Sequence, residues 1–132
     1  MTELSLFLRR VLLADAVFSG VSAVSLTSSA APFAQLFELP ETLLRESGLF
    51  LILYTALVGW LATRKVTAKS GIAVVIAGNA AWTVASIALL LSRAVNPNLS
   101  GEIVVVLQAV ATGTLAGLQY IGLRRSGGAI VI

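Results

Sequence analysis

Charged positions in this chain gather in short islands, and between them run four nearly unbroken apolar stretches: Val11–Thr27, Leu43–Thr63, Ile72–Leu91 and Ile103–Leu123. Each is close to 20 residues long, the length a helix needs to cross a hydrocarbon core ~30 Å thick. The runs are continuous and rich in Ala, Leu and Gly, whereas a membrane barrel alternates apolar and polar positions over about ten residues per strand. Backbone immersed in lipid must satisfy its own hydrogen bonds, so helices are expected. The pattern predicts an all-α, four-helix transmembrane bundle forming a single domain over 1–132, with spans at about 6–28, 42–63, 71–92 and 101–124.

The connections are short. Between the first two spans, Pro32 and Pro40 bracket a segment with Phe33, Leu36 and Phe37 at i, i+3 and i+4. It predicts a short interfacial helix over 32–39, lying in the headgroup plane on its apolar face. Pro40 suits the first turn of the second span, and Glu41 and Arg45 have a favourable i, i+4 spacing. The loop 63–70 is short enough to make spans two and three antiparallel neighbours. The segment 96–101, Asn-Pro-Asn-Leu-Ser-Gly, reads as a turn into span four. The final strip, Ser126–Ile132, has no role legible in its residues.

Composition agrees with the pattern. Hydrophobic residues make up 58% of the chain and charged residues 11%, well below the roughly 25% charged of an ordinary soluble domain. There is no Cys and no His, and the one Met is Met1. Thiol redox chemistry, disulfides, thiolate nucleophiles and histidine acid–base catalysis are excluded. Ordinary protein ligation of haem, iron–sulfur clusters, copper or structural zinc is excluded as well. No cofactor or metal site is expected, and an enzyme is not expected unless a bound cofactor supplies its chemistry.

The net charge of +3 does not point to nucleic acid, because the cations mark the ends of spans. Arg9, Arg10, Arg64, Lys65, Lys69, Arg124 and Arg125 fall on one side of an even-numbered bundle. Arg45 and Arg93 fall on the other, with Glu38, Glu41, Glu46 and Glu102. Short loops rich in Lys and Arg stay in the cytoplasm, so an inner-membrane protein with both termini cytoplasmic is expected. Arg9-Arg10, an apolar run and the small residues 29–31 loosely fit a cleaved signal peptide. Asp15 within that run and Pro32 just after the cleavage point argue against cleavage.

Small residues permit close helix approach in membranes. Ala109, Gly113 and Gly117 recur every four residues in span four. Ala77, Ala81, Ala85 and Ala88 make a stripe in span three, and Ser19, Gly20, Ser22 and Ala23 contribute in span one. Span two has only Gly48, Thr55 and Gly59. These stripes are expected at the packed faces, with a dimer through the span-four motif as the alternative.

Function is expected where polar groups lie inside spans. A carboxylate at bilayer depth costs up to about 2.5–3.5 kcal/mol on insertion scales and needs a partner, water or a proton. Asp15 is such a group, roughly 7–8 Å along the helix from Arg10 at 1.5 Å per residue. Ser19 and Ser22 follow it on one face. Asn79 is extended by Thr83 and Ser86 in span three, and Gln108, Thr112, Leu115 and Gln119 form a stripe in span four. Counted from the flanking cations, Asp15, Asn79 and Gln119, with Tyr120 as a further candidate, reach similar depth. Tyr54 and Trp82 lie nearer the midplane than an aromatic belt requires. The candidate ligand-binding residues are therefore Asp15, Ser19, Tyr54, Asn79, Trp82 and Gln119, with the two aromatics walling a cavity above the polar layer. Three readings stay open: a satisfied layer with Asp15 anchored by an arginine, a ligand or ion site, and a contact with another subunit.

The segments 12–20 (Leu-Leu-Ala-Asp-Ala-Val-Phe-Ser-Gly), 79–82 (Asn-Ala-Ala-Trp) and 118–124 (Leu-Gln-Tyr-Ile-Gly-Leu-Arg) give the chain a plan that resembles the small four-span bacterial inner-membrane proteins of the DoxX-like kind. The resemblance is one of architecture and implies no particular site residues. The small multidrug resistance transporters also have four spans and an acidic residue in the first, but use Glu there, and the rest of their pattern is missing. Two functions remain in play: binding or transport of a small lipophilic or cationic molecule, or a non-catalytic accessory or scaffold role in a larger membrane complex or homo-oligomer. The bilayer itself is the one partner that both require.

Overall fold

The structure, a computed structural model, describes residues 2–125, so the strip 126–132 lies outside it. Four long helices dominate: α1 (Leu6–Ser28), α3 (Glu41–Thr63), α4 (Lys69–Leu91) and α5 (Leu99–Arg125), with a short α2 (Ala30–Phe37) between the first two. All four long helices have the length and apolarity to cross a membrane. Their bounds fall within about two residues of those predicted from the apolar runs, as expected where charge and turn residues set helix ends.

Packing is pairwise. Helix α3 lies along α1, and α4 lies along α5, with α1 touching α5 between the pairs. Helices α3 and α4 approach each other only sparsely, although the loop joining them is short. The two helices are antiparallel neighbours, as the short loop led one to expect, but they meet through side chains rather than by close backbone approach. A short loop ties two ends together, but side-chain size decides how closely the helices lie along their length.

The α1–α3 crossing is tightest at Gly48, where a Cβ would stand 2.6 Å from Thr27 Oγ1 and 2.8 Å from Thr27 N. Along α4 and α5, a Cβ on Gly113 would stand 3.5 Å from the Thr83 methyl and hydroxyl, whereas one on Gly117 would meet nothing within 4 Å. The span-four stripe is therefore only partly a packing face. In α4 the alanine stripe is reversed from expectation: Ala77, Ala81, Ala85 and Ala88 are exposed, and Ile72, Val75 and Asn79 are buried. The α4 interface is set by its amide, because a polar group left in lipid goes unsatisfied, whereas a methyl tolerates either side.

Two apolar clusters close the bundle. At the end holding both described termini, Leu4, Leu8, Leu12, Val58, Leu61, Ala62, Ile72, Val75 and Leu123 pack together. At the other end Ala30, Leu39, Leu44 and Val105 are joined by half-buried Phe33, Phe37, Leu90 and Val95. Here α2 covers most of the segment expected to form a short helix between the first two spans. Phe33 and Phe37 stack at 5.7 Å and turn into the bundle, while Leu36 is exposed. Asn98 secures this end by capping α5 through Gly101 N (2.8 Å) and donating to the Leu36 carbonyl (2.7 Å). The Glu41–Arg45 pair forms at 2.6 Å, with both side chains about half exposed.

The opposite end carries a device with no counterpart in the hydropathy pattern. Thr2–Glu3 (β1) pairs antiparallel with Val66–Thr67 (β2), and Leu4 N donates to the Lys65 carbonyl. The Arg9 guanidinium donates to the Ala62 and Arg64 carbonyls, the latter at 2.7 Å. These are orphan acceptors at the C-terminus of α3, where a cation is favoured. Arg64 and Arg124 lie over the Trp60 and Tyr120 rings, and Arg125 over Phe7.

Candidate functional site

Asp15 is fully buried, and its carboxylate receives four hydrogen bonds. Ser19, one turn along α1, donates to Oδ1 at 2.8 Å. Oδ2 accepts from the Tyr54 hydroxyl of α3 at 2.9 Å, from Asn79 Nδ2 of α4 at 2.8 Å and from Gln119 Nε2 of α5 at 2.7 Å. Asn79 Nδ2 also donates to Gln119 Oε1 at 3.0 Å, which locks the two amides to one another. Each long helix thus supplies at least one member of a single centre, α1 giving both Asp15 and Ser19, and the centre bridges the α1–α3 and α4–α5 pairs.

Of the six residues expected from sequence, Asp15, Ser19, Tyr54, Asn79 and Gln119 meet at this centre. Tyr54 takes part through its hydroxyl, which also lies 3.3 Å from the Val75 carbonyl. Trp82 belongs to an adjoining layer. Its indole N–H donates to Gln108 Oε1 at 2.7 Å, and Gln108 Nε2 donates to Ser86 Oγ at 2.9 Å. Thr83 and Thr112 share a 2.6 Å bond, and Thr83 also reaches the Asn79 and Ala109 carbonyls. The Phe50 ring stacks on Trp82 at 5.7 Å and 11°. Tyr120 points outward and is half exposed. Ser22 bonds its own helix at the Phe18 carbonyl rather than Asp15.

The partners of Asp15 are all neutral. Among the described residues the one ion pair is Arg45–Glu41, and Arg9, the nearest arginine turned inward, is committed to backbone carbonyls. The expected arginine anchor for Asp15 is thereby corrected: an α-helix C-terminus competes for the same guanidinium and holds it at the bundle end. What remains is a carboxylate whose hydrogen bonds are met but whose charge has no opposite partner. Such a centre can accept a proton or a cation, and the oxygens of Asp15, Ser19, Tyr54, Gln119 and Val75 supply hard acceptors around it.

Among the described residues no group of three or more acidic, Cys or His side chains is arranged to hold a metal ion. Comparison of the chain with known protein families, with curated proteins and with solved structures finds no match in any of the three.

Proposed function

We propose that the chain is a multi-pass inner-membrane protein, both termini cytoplasmic, that binds a small lipophilic or cationic molecule at the Asp15 centre and carries it within or across the bilayer. The observation behind this reading is the fully buried carboxylate with four neutral donors and, among the described residues, no cationic side chain paired with it. Stability alone does not call for such a group. Replacing an entire buried charged cluster by well-packed apolar residues is often neutral or stabilising, and an ionisable residue inside a membrane usually marks a substrate or ion path. A monocation would complete the charge of the centre. The topology rests on the seven-to-two division of cations, and the inner-membrane assignment on that division with the DoxX-like plan.

Titration of the detergent-solubilised protein with tetraphenylphosphonium, followed by tryptophan fluorescence, tests the reading. Wild type should give a saturable response through Trp82, Trp82→Phe should lose most of the signal, and Asp15→Asn should lose the binding. No saturable response in wild type, or equal affinity in Asp15→Asn, would remove the binding function.

A second reading, an accessory subunit or homo-oligomer, is favoured by the exposed alanine face of α4. Small side chains facing lipid give a flat surface suited to close helix contact. Chemical cross-linking in native membranes that yields one discrete larger species, without cation binding, would favour it.

A further inference from the structure

We infer that the seam between α3 and α4 is the seat and access route for an amphiphilic organic monocation, with Tyr54 as the group that yields Asp15 to it. This rests on the binding function proposed above and names its ligand class and path.

Both axial routes to Asp15 are shut. Towards the terminal end stand Leu8, Leu12, Val58, Leu61, Ile72 and Val75, all at most 1% exposed. Towards the other end stand the Trp82–Gln108–Ser86 and Thr83–Thr112 layer and then the apolar cluster capped by α2. The sides differ. The α1–α3 and α4–α5 faces are closed by extensive helix packing and α1 also packs on α5, whereas α3 and α4 approach least and are bridged by side chains.

The bridging follows a pattern of glycines on α4. Leu61 reaches over Gly71, where a Cβ would stand 3.2 Å from its Cδ2, and Tyr54 reaches over Gly78, where a Cβ would stand 3.2 Å from its Cε1. One turn further along, the Phe50 ring of α3 stacks on Trp82 of α4. Phe50 is half exposed on the outer surface of the bundle. Phe50 and Trp82 thus cover the seam one turn from Tyr54, whose hydroxyl reaches Asp15. No backbone hydrogen bond has to break for these side chains to part.

Tyr54 is already placed for exchange. Its hydroxyl lies 2.9 Å from Asp15 Oδ2 and 3.3 Å from the Val75 carbonyl. A small rotation transfers its proton donation to Val75 and frees an Oδ2 lone pair, while Ser19, Asn79 and Gln119 keep the carboxylate in position. A cation arriving there meets Asp15 and the faces of Tyr54 and Trp82, which attract positive charge. Its apolar substituents take the place of Phe50 against Trp82. The chemistry selects a single positive charge on an apolar body and disfavours anions and strongly hydrated dications.

The chain contains no Cys, so a Phe50→Cys/Trp82→Cys pair can be bridged selectively by a short bis-methanethiosulfonate cross-linker, which reacts with each thiol by displacing sulfinate and leaves a reducible disulfide at each end. Binding and release of radiolabelled tetraphenylphosphonium are measured in wild type, in the free double variant, in the bridged protein and in Tyr54→Phe. Bridging should slow release at least tenfold, with recovery on reduction, and Tyr54→Phe, which keeps the ring but has no hydroxyl to reclaim Oδ2, should release severalfold more slowly than wild type. Loss of binding in the free double variant with an unchanged melting profile also supports the seam, because the two rings and the Trp82 indole donor to Gln108 are all that has been removed. Release from the bridged protein as fast as from the free variant overturns the seam as the route. Absence of binding in wild type overturns the underlying functional reading instead, so the two failures are distinct.

Discussion

Replacing Asp15 by Leu and by Asn separates the hydrogen-bonding role of this residue from its charge. Leucine keeps the branched shape, although it is bulkier, and removes both acceptor oxygens, which leaves Ser19, Tyr54, Asn79 and Gln119 without their acceptor. Ser19 can turn to its own helix and Tyr54 to Val75, so Asn79 and Gln119 bear most of the loss. Unsatisfied buried donors cost about 1–3 kcal/mol each in soluble proteins, and interhelical bonds in membranes average about 0.6 and reach about 1.7 kcal/mol. Two stranded amides and two weakened hydroxyl bonds put Asp15→Leu at about 2–4 kcal/mol of destabilisation. Asparagine can keep its carbonyl at the Oδ2 position, accepting from Tyr54, Asn79 and Gln119, with its NH₂ donating to Ser19 Oγ. Neutral bonds replace charge-assisted ones, and the burial of a charge is relieved. Asp15→Asn is expected within about 1 kcal/mol of wild type on the same grounds. Reversible unfolding in mixed micelles, followed by helicity, measures both. Equal stability of Asp15→Leu and Asp15→Asn would refute the view that the centre holds the two helix pairs together.

Gly48→Ala should destabilise by about 1–3 kcal/mol through overpacking, because its Cβ meets Thr27 at 2.6 Å. Gly117→Ala, with open space at that position, should be neutral or stabilising by up to about 1 kcal/mol, and thermal melts in detergent compare the two. Arg9→Leu removes the cap on the α3 carbonyls and should cost about 1–3 kcal/mol. It should also speed hydrogen exchange at Leu4 N, whose acceptor is the Lys65 carbonyl; unchanged protection there would refute the clamp. Reporters active on one side of the membrane, fused at Met1 and at Ile132, should both read cytoplasmic, and opposite readings would refute the assigned topology.

Much of this arrangement is legible in sequence because membrane burial simplifies the problem. Helix ends follow from the charged islands, and the depth of Asp15, Asn79 and Gln119 follows from counting residues to Arg10, Lys69 and Arg124. Asn79, Thr83 and Ser86 correctly mark the inner face of α4, because amides and hydroxyls need partners that lipid does not offer. The alanines mislead, since they occur around α4 and carry no such requirement. Tyr54 is read as a cavity wall rather than a donor to Asp15, because an aromatic at mid-depth does not reveal where its hydroxyl ends. The Arg9 clamp and the β1–β2 pairing are hidden for a different reason: they depend on distant chain meeting at one end, and every cation there also fits a topology signal.

The centre joins residues far apart in the chain, and this separation bears on biogenesis. Tyr54 lies 39 positions beyond Asp15, Asn79 lies 64 beyond and Gln119 lies 104 beyond. During synthesis α1 leaves the ribosome with only Ser19 at hand, and its carboxylate carries a penalty of about 2.5–3.5 kcal/mol at bilayer depth until donors arrive. Tyr54 comes with α3, but the amides come only with the second pair. Helix α1 therefore gains its full tenure in the bilayer late, when α5 has been translated and docked. Chains halted before Gln119 should leave α1 extractable or held by the insertion machinery, so that completion of the polar centre acts as the assembly checkpoint of the nascent protein.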